Sequence, residues 1–422
     1  MNALKVWALG LMFCMAAASA ARPATALYDP NPKHLWNRLN EALFVRTAPD
    51  TGERYGSEEL DILFWTTTKH LLTSPSHERA LQVLDEFIRT HGERLIRDPM
   101  TRALLQRDLW QLFDWSAVDD HSPARAELQQ RLATVIKRVA LSEEEIAKLP
   151  DNYAEADARL DAAGFPHGLF AADGPWLAVA NPYGDTAPEH THSFGNRSVF
   201  TVFVNFPEGR EQAQRYLKQL REFTPAMIYT TEAFPARSAA SLAPNPATPQ
   251  FPANTIWALV RRMFLIDDQG HIRPTRLVES IQTRKYVSIP DVNHFFSSTE
   301  LRPQQVVAEF QMDHQHPPAL RAVVEGERDF QFVHFRGMGA DLFELSSAAD
   351  WARDRELIRA ETLRTCFGCH AAPGILSINS YTGFGMAVKP LEGATPDRET
   401  GMAIYGKANR YDWGLLQGLW RH

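Results

Sequence analysis

The sequence predicts an α+β chain of several domains: an N-terminal helical bundle, a β-rich middle domain and a small helical C-terminal segment. Three observations carry this reading. The 422 residues exceed the roughly 150 of an average domain. Apolar residues recur at three-to-four spacing as far as Gly164. Beyond that point glycine and proline recur, and alternating runs of β-branched and aromatic residues take over. Apolar residues at 44% and charged residues at 23% are ordinary values, which exclude a fibrous or disordered chain. With 44 Lys and Arg against 51 Asp and Glu, the net charge of -7 offers no basic excess to neutralise a phosphate backbone, so nucleic acid is not expected as a partner.

Residues 1–20 read as a secretory signal peptide. Lys5 precedes an apolar run from Val6 to Ala17, and Ala18-Ser19-Ala20 is the small-x-small pattern of a cleavage site, with a second such site at Ala24-Thr25-Ala26. An uncleaved anchor would need a run of about 20 apolar residues, and this one is shorter. Bulky Phe13 argues against lipidation of Cys14, and the later apolar stretch Trp257 to Ile266 is broken by Arg261 and Arg262. The mature chain is expected to be soluble, without a transmembrane segment, and secreted or periplasmic.

The helical domain is placed at 30–164. Trp36, Leu39 and Leu43, then Leu104, Leu105, Leu109 and Leu112, form buried stripes. Asp98-Pro99 and Ser122-Pro123 each set an N-cap oxygen before a proline at the first helical position, and Ser142 with Glu145 makes a capping box. The middle domain, 165–345, contains a strand at Val199 to Phe206, a helix at Glu208 to Phe223, and an exposed loop or linker at Ala233 to Asn254, where Pro235, Pro244, Pro246, Pro249 and Pro252 cluster. Thr255 to Ile266 and Arg276 to Ser288 form an antiparallel hairpin across Asp267-Asp268-Gln269-Gly270; further strands fall at Gln305 to Met312 and Phe330 to Phe335. The last part, 346–422, opens with a helix from Ser347 to Thr365 and ends with one from Trp413 to Trp420.

Between those two helices stands Cys366-Phe367-Gly368-Cys369-His370. Two cysteines three apart at a helix end present both sulfurs on one side, where each can add to a haem vinyl group, and the next residue turns its imidazole towards the iron. This C-x-x-C-H pattern is the haem-attachment signature, and with residues 1–20 removed its thiols are the only ones left. A thioredoxin-like redox pair would want a strand before the motif and a helix after it; half of a zinc site would need two further ligands.

On this motif the C-terminal segment resembles a c-type cytochrome. The resemblance covers the motif, its preceding helix and the residues after it. It implies one covalent haem c held by Cys366 and Cys369, His370 as proximal iron ligand, and attachment outside the cytoplasmic membrane of a bacterium. The run after His370 is shorter than such domains place there, so the wrap around the haem is either abbreviated or completed by the preceding domain. For the sixth ligand, Met402 after Gly401 and Met386 in the loop Gly383-Phe384-Gly385-Met386 are the candidates, with Met338 between Gly337 and Gly339 as the outside one. Each has an alternative role as a gap-filling core methionine.

His190-Thr191-His192 reads as an extended segment with two imidazoles on one side, near Asp185 and Glu189, able to hold a metal or face a haem distally; a satisfied loop pair is the plainer reading. His314-Gln315-His316 before Pro317-Pro318 has the same form at a turn. There is no phosphate loop and no G-x-S-x-G elbow, and Gly337-Met338-Gly339 lacks the third glycine of a dinucleotide loop. The expected function is that of a monohaem c-type protein in electron transfer with a redox protein partner, its sixth position filled. The alternatives are a haem enzyme with an open sixth position, reducing peroxide or oxidising a small substrate with help from His190, His192 or an arginine, and a haem-stabilised binding or sensor protein.

Overall fold

The computed structural model describes residues 27–47, 52, 54–56, 69–117, 122–230, 241–289, 305–313, 316–323, 343, 370, 372–382 and 389–421. The signal segment, the strand at Phe330 to Phe335, the helix at Ser347 to Thr365, both motif cysteines, Met338, Met386 and His314 lie outside them.

Helices α1 (Leu35–Leu43), α2 (Ser76–Thr90), α3 (Pro99–Ser116), α4 (Pro123–Val139), α5 (Glu143–Ala147) and α6 (Asn152–Arg159) come first, with the two-residue strands β1 (Arg46–Thr47) and β2 (Arg54–Tyr55) paired after α1. The start signals act as their chemistry requires. The Asp98 carboxylate accepts from Thr101 N–H at 2.7 Å, the Ser122 hydroxyl from Arg125 N–H at 3.3 Å, and Ser142 and Glu145 satisfy each other's backbone N–H. Helix α3 is buried over most of its surface, and its buried polar residues Gln106, Arg107, Asp108 and Asp114 are met by partners rather than by water. Leu105, Leu109 and Leu112 belong to the core of the helical layer, whereas Met100, Ala103 and Leu104 belong to a second core under the sheet.

That sheet has seven strands: β3 (Trp176–Ala180), β4 (Ser198–Asn205), β7 (Ile256–Ile266), β8 (Ile272–Tyr286), β9 (Gln305–Met312), β10 (Leu320–Ala322) and β11 (Glu392–Gly393). They lie in the order β10-β9-β8-β7-β4-β3-β11, and every neighbouring pair is antiparallel. Between β3 and β4 runs α7 (Pro188–Ser193); α8 (Arg210–Glu222) follows β4, and a separate hairpin pairs β5 (Met227–Thr230) with β6 (Ser241–Pro244). The expected hairpin across Asp267 to Gly270 forms, with Gly270 at φ +84°, a conformation that favours glycine.

Register shifts around Arg262 flip the strand's alternation. Ala258 and Val260 face the second core before the bulge, and Met263 and Leu265 do so after it, which turns Phe264 and Ile266 into the helical core. Two buried amides satisfy the backbone there: Gln106 pairs with Ile266, and Asn152 pairs with Val278.

A third core covers the opposite sheet face. It joins Phe200, Val202, Val204, Trp257 and Tyr286 to Tyr216 of α8 and to Ile375, Leu376 and Ile378. Phe251 belongs to it at 1% exposure. The proline-rich run expected as an exposed loop is thus partly packed: Phe251 brings its ring to 4.9 Å from Tyr286 and 5.8 Å from Trp257, and burial of one aromatic ring overrides the proline signal. Strand β3 escaped the sequence reading because it is a short continuous apolar run, buried along its whole length, with no alternation to detect.

The chain returns after the motif through a 3₁₀ turn (Gly374–Ser377), α9 (Asn379–Thr382), β11, α10 (Pro396–Ala408) and α11 (Tyr411–Trp420). Ala403, Trp413, Leu416 and Trp420 enter the same core as Leu105 and Trp110. Among the described residues, therefore, the three cores do not follow the sequence segments, and the C-terminal segment completes the helical layer. No helix among the described residues is long and apolar enough to cross a membrane.

Candidate functional site

His370 is held from behind by the turn that follows it. Gly374 has φ +53°, and a Cβ there would stand 2.0 Å from Gln250 Oε1, which accepts instead from Ile375 N–H at 2.9 Å. The turn buries Ser377 completely. Its hydroxyl bonds the Gly374 carbonyl at 2.7 Å and lies 2.5 Å from the Tyr286 hydroxyl at the end of β8.

The Ser377 carbonyl lies 3.0 Å from His370 Nδ1. A carbonyl can only accept, so Nδ1 carries the proton and Nε2 keeps its lone pair. The backbone is tied to the sheet as well, since Gln305 Nε2 donates to the His370 carbonyl at 2.9 Å and Arg284 Nη1 donates to Gln305 Oε1 at 3.3 Å. Burial above all, then the Arg284 charge and His190, push the His370 imidazole down to about 3 against the opposing bond to Ser377. It is neutral at neutral pH.

His190 sits on the same sheet face, on α7. The helix entrance is fixed by Asp185, which accepts from Ala187 N–H at 3.0 Å, and by Thr186, which donates to Glu399 of α10 at 2.8 Å. The His190 ring packs 5.6 Å from Phe200 of β4, beside Phe194, over which the Arg261 guanidinium stacks at 4.3 Å. The residue keeps some solvent contact, but its ring is densely surrounded. Burial, then Arg284 and Arg261, lower it to about 4.

The extended segment expected for His190 to His192 is a helix instead. Residues two apart on a helix do not share a face; His190 turns inward and His192 is exposed. His316 is exposed too, bonded at 2.9 Å to Asp313 in the turn before β10. Met402 stands on α10 rather than in a glycine loop, with 37% of its surface exposed.

His370, tied to the end of β8 and β9, and His190, packed over Phe200 on β4, both feel the Arg284 charge, and His190 feels that of Arg261 as well. Sequence reasoning named the histidines but missed Arg284, Gln305, Tyr286 and Ser377, whose roles arise from the pairing of Tyr286 with Gln305 across β8 and β9. No local motif carries that signal.

Among the described residues no group of three or more His, Cys, Asp or Glu could hold a metal ion. A neutral imidazole with its Nε2 lone pair unprotonated, as at His370, is the kind of donor that a haem iron takes. Gln250 Nε2 is a buried donor left without a hydrogen-bond partner beside this segment. Comparison of the chain with protein-family models, with curated proteins and with solved structures gives no match.

Proposed function

We propose that the protein is a monohaem c-type electron carrier acting in the bacterial periplasm or secreted from the cell, with Cys366 and Cys369 in thioether linkage to one haem c and His370 as proximal ligand through Nε2. The observation that carries this is the bond from His370 Nδ1 to the Ser377 carbonyl. It sets the tautomer, fixes the ring plane and strengthens Nε2 as a donor, as outer partners of ligating histidines do. The haem, when bound, supplies a one-electron couple, and a redox protein partner gives or takes the electron. The chain's own residues bury the imidazole, keep it neutral and hold Arg284 beside it. The remainder of the chain serves to present this site to that partner.

A second reading is favoured by the Arg284 charge that acts on both His370 and His190: a haem enzyme with an open sixth position, the histidine providing a base and the arginine a charge.

The test of attachment is chemical. The purified protein should keep its haem through denaturation and acid-solvent extraction, and Cys366→Ala with Cys369→Ala should abolish haem staining. Haem that extracts freely, or staining that survives the double substitution, overturns the assignment.

A further inference from the structure

We propose that α10 is a dimer contact, its outer face packing antiparallel on the same helix of a second copy of this chain. The helix turns Glu399, Ala403 and Lys407 inward, and all three are buried. Glu399 and Lys407 are the only charges between Arg398 and Arg410, so the outer face along that stretch carries none. What it shows instead is Met402, 37% exposed, and one turn on Tyr405, 71% exposed. Tyr411, just past the helix, is 65% exposed. Tyr183, 86% exposed, stands on the loop beside the first turn of α10, where Arg398 Nη2 donates to the Asn181 carbonyl at 2.8 Å. Four of the nine exposed large apolar side chains among the described residues therefore follow one strip. Tyrosine and methionine without charge are the composition of an interface core rather than of a solvated helix.

The ends of the strip name the occupant, because they differ in sign. Asp397 is exposed in the first turn, and Arg410, just past the last, bonds Asp412 through Nε and stays partly exposed. In an antiparallel pair centred midway between Met402 and Tyr405, Asp397 of each copy meets Arg410 of the other. Met402 then meets Tyr405, and Tyr411 reaches the loop that carries Tyr183. Each contact is made twice, as a two-fold axis requires. Gly401, where an added Cβ would meet nothing within 4 Å, leaves a hollow beside Met402 for the incoming Tyr405 ring. A partner of single charge sign would attract one end of the strip and repel the other, whereas the chain's own surface, reversed, matches both. The net charge of -7 opposes association elsewhere, which confines the contact to this uncharged strip. Nothing in this contact depends on haem.

The test uses the full mature chain. Sedimentation velocity over a wide range of concentration should show a reversible dimer. Tyr405→Glu, which sets acidic groups at the centre of the contact, should leave only monomer. Gly401→Glu fills the hollow at a site where no neighbour is disturbed, and it too should give monomer; both variants should keep the native helical ellipticity and denaturation midpoint. Irradiation of a chain carrying p-benzoylphenylalanine at position 405 should join it to the Met402 peptide of a second copy. A native chain that stays monomeric at every concentration overturns the proposal, as does a dimer indifferent to both glutamates or a cross-link from position 405 to another part of the surface. Dimer loss that comes with loss of ellipticity in both variants, without the Met402 cross-link, assigns the effect to folding and overturns it as well.

Discussion

His370 owes its chemistry to a serine carbonyl, and that carbonyl owes its place to a glycine. Gly374 lies in left-handed backbone, and its missing Cβ leaves room for Gln250 Oε1. Gly374→Ala adds left-handed strain and a close contact, each of about 1–2 kcal/mol. Chemical denaturation should show a loss of about 2 kcal/mol or more, and the haem spectrum should change as the Ser377 bond loosens. A variant with wild-type stability and spectrum would show that the turn does not position His370. At this scale the sequence was legible where the chemistry is contiguous. Cys366 to His370 is read as one pentapeptide because the chemistry proposed for it lies in its spacing. His190 was named as able to face a haem distally, but its direction, apart from that of His192, comes from the helical turn of α7, and the gathering of Arg284, Gln305 and Ser377 comes from strand register.

Among the elements, β9 has the expected bounds and the β7–β8 hairpin forms across the expected turn, although β8 begins four residues earlier, and the turn explains why. Asp267 accepts from the N–H groups of Gln269 and His271 at 3.0 and 2.8 Å and from Arg273 Nε at 2.7 Å, so an aspartate opening the turn satisfies the backbone that closes it. Burial pushes this carboxyl up, but the His271 N–H and Arg273 outweigh it and leave the group below its usual value. A depressed carboxyl stabilises the fold above the unfolded value near pH 4, and the contribution is lost as pH falls through the folded value. Asp267→Asn should therefore cost about 2 kcal/mol at neutral pH, and its denaturation midpoint should converge with that of the native chain in acid. A difference that stays constant with pH would assign the effect to shape rather than charge. Elements that break local rules were harder to read: β3 has no alternation, α7 holds only six residues, and Phe251 is packed despite its prolines.

Over the whole molecule, the parts are joined by buried charge as well as by shared core. Lys407 of α10 is fully buried; its Nζ lies 2.6 Å from Asp114 of α3, 2.9 Å from Asp412 of α11 and 5.3 Å from the Trp110 ring. Arg197, just before β4, donates to the same Asp114 oxygen at 2.6 Å, and Arg410 holds the other Asp412 oxygen at 2.9 Å. Burial pulls the ammonium down while the two carboxylates hold it up, so the cation is kept by its partners rather than by water. Helical layer, sheet entrance and C-terminal helices thus meet at one nitrogen. Lys407→Met keeps most of the volume and the stem but leaves two buried carboxylates each short of a cation, a loss of about 3–5 kcal/mol. Because Lys407 joins α3 and α11 and shares Asp114 with Arg197 at the sheet entrance, the loss should fall on the molecule as a unit. Helical ellipticity and haem absorbance should move together to lower denaturant, with coincident midpoints in both proteins. Separate midpoints in the variant would show that the layers are coupled through this nitrogen alone. Separate midpoints already in the native chain would show that the helical layer and the haem site fold independently despite the shared core.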